Sequence, residues 1–270
     1  MKKLILVLLM LMVLPLTACR QNEDEYVDTG ERFMHFAIEG RNQHGGWQNF
    51  ILVEVNEVGI VTDLVLDGVN HLSSATKREL SQLGLYEALE GYDFYTEARL
   101  IEESLIGQSS IHIPLALADS FPSEAGAFNP ADWSDLALSA ITNSPIEQGP
   151  YLNGRYHASA EVAVDGFINF VNFIVVNGHI ISVQWNATSE DGLLRHDYVL
   201  MTNWDAQTRS WRDQAIILEE ELLILQDPML FTFDEGGYSL TIPAISIEIE
   251  TFVSFVVQAL TAGPTPIVVE

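Results

Sequence analysis

With 270 residues, 38 Asp+Glu against 12 Lys+Arg and a formal net charge of −26, the chain repels nucleic acid and anionic lipid head groups, which excludes binding to either through a basic patch. A single cysteine, Cys19, excludes an internal disulfide and a thiolate metal cluster. The length suits one large or two small domains, each able to bury its own core.

Lys2 and Lys3 precede the apolar run 4–14, which Leu16-Thr17-Ala18-Cys19 closes with small residues. That run is too short to span a bilayer as a helix. The pattern resembles a bacterial lipoprotein signal, which implies a signal peptide over 1–18, cleavage before Cys19 and lipidation of Cys19. The expected location is the extracytoplasmic face of the cell membrane, with the lipid making the membrane contact. Residues 19–30 are polar and acidic without periodicity, as in a tether. After processing, Lys77 is the only lysine left.

A first strand is predicted over 33–38, followed by a Gly45-Gly46 loop and a hairpin of strands 50–56 and 60–66 turning at Gly59. Leu80, Leu83, Leu85 and Leu89 predict a helix over 76–89, with Thr76 and Glu79 at capping-box spacing. A second helix over 97–105 has Leu100, Ile101 and Leu105 as its expected apolar face. Serines, prolines and glycines break the pattern over 107–130. A helix then runs over 130–141, with Pro130 in its first turn and Asn129 as cap.

Residues 143–150, with two prolines and a glycine, read as a linker. Beyond it, strands over 155–164, 167–176 and 179–185 are separated by Asp165-Gly166 and Asn177-Gly178, the dipeptides of type I′ turns. Trp211, Ala215, Leu218, Leu222 and Leu225 predict a helix over 210–226, and Phe252, Phe255, Val256 and Ala259 another from Glu250 to about residue 260. A short strand is expected over 238–242.

The meander has a fainter copy about 120 residues earlier. Ala98-Arg-Leu-Ile-Glu-Glu likewise matches Ala215-Ile-Ile-Leu-Glu-Glu, and the stretch from Trp133 matches that from Phe252. The expected fold class is α+β: two repeated domains, over 31–142 and 151–263, each an antiparallel β-meander packed against two or three helices, with a tail over 264–270.

The sequence has no Gly-rich phosphate loop, no His-Glu-x-x-His and no Gly-x-Ser-x-Gly. Its histidines, His35, His44, His71, His112, His157, His179 and His196, never fall three or four apart, so neither a metal site nor a catalytic residue is assigned. Glu219-Glu220-Glu221 reads as a solvated helix face. Trp47, Trp185, Trp204 and Trp211 are candidates for stacking on a ligand, with Trp211 read as core.

The opening Tyr151-Leu-Asn-Gly-Arg-Tyr156, the Asp-Gly/Asn-Gly meander, Trp211-Arg-Asp-Gln-Ala215 with Gln226-Asp-Pro after it, and the terminal helix from Phe252 together resemble the FMN-binding domain family. That family includes tandem-domain bacterial surface lipoproteins related to pheromone precursors and to extracellular electron-transfer flavoproteins. The resemblance implies a flavin-attachment motif before the last helix, whose positions here are Pro243-Ala-Ile-Ser246, and in the first half Glu124-Ala-Gly-Ala127. Small residues there would let backbone N–H groups approach a phosphate. Pro243 removes an N–H, Ile245 adds bulk and Ala127 lacks a hydroxyl, so the motifs are degenerate and Ser246 alone keeps an attachment hydroxyl. The expectation is a non-catalytic binding or scaffolding lipoprotein without cofactor; the alternative is an electron-transfer lipoprotein with FMN in the second domain.

Overall fold

The computed structural model describes residues 30–40, 46–70, 75–86, 93–120, 130–196, 210–243 and 245–264. The expected signal peptide, Cys19, the tether before Gly30, His44, His71, residues 124–127, Asn129, Trp204, Ala244 and the tail beyond Pro264 lie outside the described residues. The protein is α+β, with two three-stranded antiparallel sheets and, among the described residues, six α-helices.

In the N-terminal half β1 (Arg32–Ile38), β2 (Trp47–Asn56) and β3 (Val61–Asn70) form a meander in that order. Side chains alternate across it: Ile51, Val53, Val55, Leu64 and Leu66 enter the core, whereas Phe50 and Val69 face the other way. Helix α1 (Lys77–Gln82) starts at the predicted capping box, both hydrogen bonds of which form, an arrangement worth about 1 kcal/mol. It stops well short of residue 89, because Gly84 takes a left-handed φ of 67°. Helix α2 (Phe94–Leu105) buries Phe94, Ala98, Ile101 and Leu105. Leu100, expected on that face, is 57% exposed, since the neighbour of a core position lies about 100° around the helix.

The broken stretch after Gly107 is also helical, contrary to expectation: a 3₁₀ turn over Ser110–His112 leads into α3 (Ile113–Ser120). Pro114 falls in the first turn, where its missing N–H has no helical partner to lose, and Ile113 and Leu117 are fully buried at i, i+4. Helix α4 (Pro130–Thr142) begins at the predicted proline and buries Trp133, Leu136, Ala137 and Ala140.

In the C-terminal half β4 (Gly154–Ser159), β5 (Phe167–Val176) and β6 (His179–Ser189) repeat the meander order. Asp165, Gly166, Asn177 and Gly178 have φ of 51°, 81°, 49° and 74°, as type I′ turns require. Strand β4 ends five residues before the predicted Val164, which makes only an isolated bridge to Phe167. Helix α5 (Trp211–Leu225) is capped by Ser210, whose hydroxyl accepts from the Asp213 N–H, and closes on Gln226 at a left-handed φ of 60°. Residues 238–242 form no strand; Ser239 and Tyr238 make single bridges to Phe233 and Glu248. Helix α6 (Glu250–Ala262) starts where predicted.

Each half has its own core, one around Trp133, Phe94 and Leu66, the other around Phe252, Phe173 and Leu218. A third, smaller cluster joins the halves where Phe50 and Val69 of one sheet meet Ile174 and Ile181 of the other. The expected linker is fastened at both ends. The Ile146 N–H donates to the Met34 carbonyl at 2.7 Å, and the Gly149 N–H donates to the Asn177 carbonyl at 2.9 Å. A Cβ on Gly149 would lie 2.2 Å from the Gly178 carbonyl oxygen, so only glycine allows this approach. Gly149→Ala is expected to destabilise the protein by about 3 kcal/mol, read from its urea midpoint, because backbone rather than a mobile side chain must yield.

Candidate functional site

The most developed site grows from the turn that follows the third strand of each meander. On β3, Asp67 Oδ1 accepts from the N–H groups of Gly68 (2.7 Å) and Arg78 (2.9 Å). On β6, Asn186 Oδ1 accepts from those of Ala187 (2.9 Å) and His196 (3.2 Å). Each clip pins the chain one residue beyond a cation that sits over aromatic rings: Lys77 in the first half, Arg195 in the second.

Lys77 Nζ lies 5.6, 5.6 and 5.2 Å from the ring centres of Trp47, Tyr86 and Phe94 and donates to Asn49 Oδ1 at 2.5 Å. Burial lowers its pKa to about 8, against the opposing pull of Glu39 and Asp67. Trp47 is thus committed to caging an internal ammonium.

Arg195 stands in the same relation to Trp211 and Phe167, its guanidinium carbon 4.8 and 5.7 Å from their ring centres. Partial burial lowers its pKa and Asp165 raises it. Unlike Lys77, it makes no hydrogen bond or ion pair among the described residues. It opens onto a cavity of about 360 Å³ lined also by Trp185, Trp211, Asn169, Ser246 and Phe255. Asp165 and Glu248 also line it. Trp185 Nε1–H is buried without a partner, and the side chain of Asn169, 9% exposed, makes no hydrogen bond among the described residues.

Ser246 therefore lies in a cavity, but its donors are taken. Gln214 Oε1, from α5, accepts the N–H of Ser246 at 2.6 Å, the N–H of Ile247 at 3.1 Å and the Ser246 hydroxyl at 3.2 Å. An amide oxygen is no general base, so this serine is not activated as a nucleophile. Trp185 and Trp211 line the cavity as stacking candidates; Trp211 is also core, at 8% exposure.

Glu219, expected on a solvated face, is instead fully buried, and its Oε1 accepts the Trp185 N–H at 2.7 Å. On α2, Glu102 accepts the Leu66 N–H at 2.7 Å in the same manner and pairs with Arg78 at 2.9 Å. Desolvation outweighs these contacts and raises Glu102 to about 7. A helix-borne carboxylate can serve a strand N–H in place of water, which is why a run of three glutamates misleads.

A second cavity of about 370 Å³ lies between the halves, floored by Phe50, Val65 and Ile174. Its arginines are paired within the protein, Arg78 with Glu102 and Arg155 with Glu79 at 3.4 Å. Among the described residues no group of His, Cys, Asp and Glu is placed to hold a metal ion, and no helix is long and apolar enough to cross a membrane. His35 Nδ1 meets the Asn143 carbonyl at 3.2 Å.

Sequence reading missed Arg195, Asn169 and Gln214. The available signal was positional, since Arg195 follows β6 as Lys77 follows β3, but it emerges only once the strand ends are known.

No family model matches the sequence, and no curated protein matches it. Among solved structures the chain is similar to a solution NMR structure of a Clostridium thermocellum protein, 29% identical over 41% of this chain and 90% of that chain, with a TM-score of 0.33.

Proposed function

We propose that this is an extracytoplasmic lipoprotein, anchored through Cys19 and built from two copies of one α+β unit related to FMN-binding domains. Its second unit acts as a binding module that carries no attached flavin, and its role at the cell surface is binding or scaffolding rather than catalysis. The duplication is supported by the paired clips at Asp67 and Asn186, the paired cations over aromatic rings, and the buried Glu102 and Glu219 serving equivalent strand N–H groups.

The observation that carries the absence of attached flavin is Gln214. Its amide oxygen fills the concavity formed by the Ser246 and Ile247 N–H groups, where a phosphate would need those donors free. A phosphate dianion would also face Asp165 and Glu248 with Arg195 as the one cation lining the cavity among the described residues. The residues present do not fit a flavin phosphoester.

An intact-mass measurement on the mature protein tests this. The expected mass is that of chain plus lipid, with no visible flavin absorbance. A flavin-sized increment that disappears in Ser246→Ala would establish the electron-transfer alternative instead.

A further inference from the structure

The cavity beside Arg195 is built to hold something smaller and less charged than a nucleotide. Its walls include the indoles of Trp185 and Trp211 and the ring of Phe255, surfaces suited to a flat aromatic group. Trp185 Nε1–H is buried without an acceptor, a state that costs the folded protein roughly 1–3 kcal/mol unless something fills it. The Asn169 amide is similarly uncommitted and nine-tenths buried. The guanidinium of Arg195 lies over the Trp211 and Phe167 rings and lines the cavity, with donors that no carboxylate of the described chain accepts.

Unfilled donors call for an acceptor, and Arg195, which Asp165 balances only through space and not by a hydrogen bond, favours one that carries charge. Asp165 and Glu248, which also line the cavity, set the limit, because a second negative charge on the ligand would share a partly desolvated space with two acidic residues. A planar carboxylate matches the guanidinium fork and brings one charge.

We propose that this cavity binds small planar aromatic monocarboxylates, the carboxylate on Arg195 and the ring against the touching Trp185 and Trp211 pair and Phe255. The volume of about 360 Å³ is at the small end of ligand sites and admits a fused two-ring acid. In the first half the corresponding cation, Lys77, is enclosed by its own cage, so the second half is the one that binds. This inference rests on reading the second half as a binding module, and its test uses only protein that an intact-mass measurement first finds free of flavin, so the two readings fail separately.

The test is isothermal titration calorimetry of the full mature chain with naphthoate, naphthamide and naphthylmethylamine, which share a ring system and differ in charge. Naphthoate is expected to bind saturably at one site, the amide more weakly and the amine not at all. Arg195→Gln should weaken naphthoate binding about tenfold or more, the loss expected of a charge-assisted contact. Because Arg195 also packs on Trp211, Asn169→Asp serves as a second variant, expected to weaken naphthoate through an added negative charge without removing any packing. Circular dichroism establishes that both variants are folded. Absence of saturable naphthoate binding, equal binding of the amine, or affinity unchanged in both folded variants would overturn the proposal.

Discussion

Phe252→Ala is expected to destabilise the C-terminal half by about 3–5 kcal/mol, the usual cost of removing a buried aromatic ring. Phe252 is fully buried on α6, with the rings of Trp185 and Phe231 at 5.3 and 5.9 Å. The loss should stay local. Its core shares no residue with the one around Trp133, and the two halves meet through a smaller apolar cluster around Phe50, Val69, Ile174 and Ile181. In native-state hydrogen exchange, amides of β5 and β6 should lose protection while those of β2 and β3 largely keep theirs. Trp133→Ala should give the mirror result, since Trp133 is equally buried beside Phe94 in the other core. Uniform loss of protection across both sheets in either variant would show that the halves unfold as one unit.

Stability should fall by a few kcal/mol as pH rises from about 4 to about 7, against the usual behaviour of proteins whose carboxylates are held in ion pairs. Burial raises Asp67 from 3.8 to about 6 and Glu102 from 4.5 to about 7, each opposed only in part by Arg78 and by backbone donors. In the unfolded chain both ionise near their ordinary values, so between those limits the folded state binds more protons and loses stability as pH rises. The contribution is complete below about pH 4 and gone above about pH 7, and each pKa unit corresponds to about 1.4 kcal/mol. Asp93, held below its ordinary range by Ser81 and Thr96, acts in the opposite sense, but it is largely exposed and its share is screened. Urea midpoints at pH 5 and pH 7, below the range in which Lys77 loses its proton, measure the difference. Glu102→Gln, which resembles the protonated side chain, should leave the acid midpoint nearly unchanged and flatten the decline. A midpoint that climbs between these pH values would refute the assignment.

Apolar spacing marked the α2 and α5 helices in the chain. The start of α5 and the end of α2 followed from that spacing, although α2 begins at Phe94, three residues before the expected 97, where Asp93 caps it; the starts of α1, α4 and α6 followed from Thr76, Pro130 and the pattern around Phe252. Leu100, placed inside by apolar spacing, is exposed, and Glu219, placed outside by its run of charges, is buried. Helical periodicity gives a stripe but not its edges, and whether a carboxylate at that edge is buried depends on a partner that local pattern does not show. The α3 helix was hidden behind Pro114, a residue that breaks a helix inside and begins one at its end.

By itself, the sequence determined those features whose cause is local: left-handed dipeptides that turn two strand pairs, alternation that gives each sheet an inner face, and capping residues that start helices. Tertiary structure alone decided that Glu219 turns inward to the Trp185 N–H, that Lys77 fills its own aromatic cage while Arg195 stands beside an open cavity, and that Gln214 occupies the donors of Ser246. Each of those outcomes depends on a pair distant in the chain, Trp185 with Glu219, Asn49 with Lys77, Phe167 with Arg195 and Gln214 with Ser246, where backbone propensity has no reach and the desolvation of a polar group is set by whichever partner the fold brings to it.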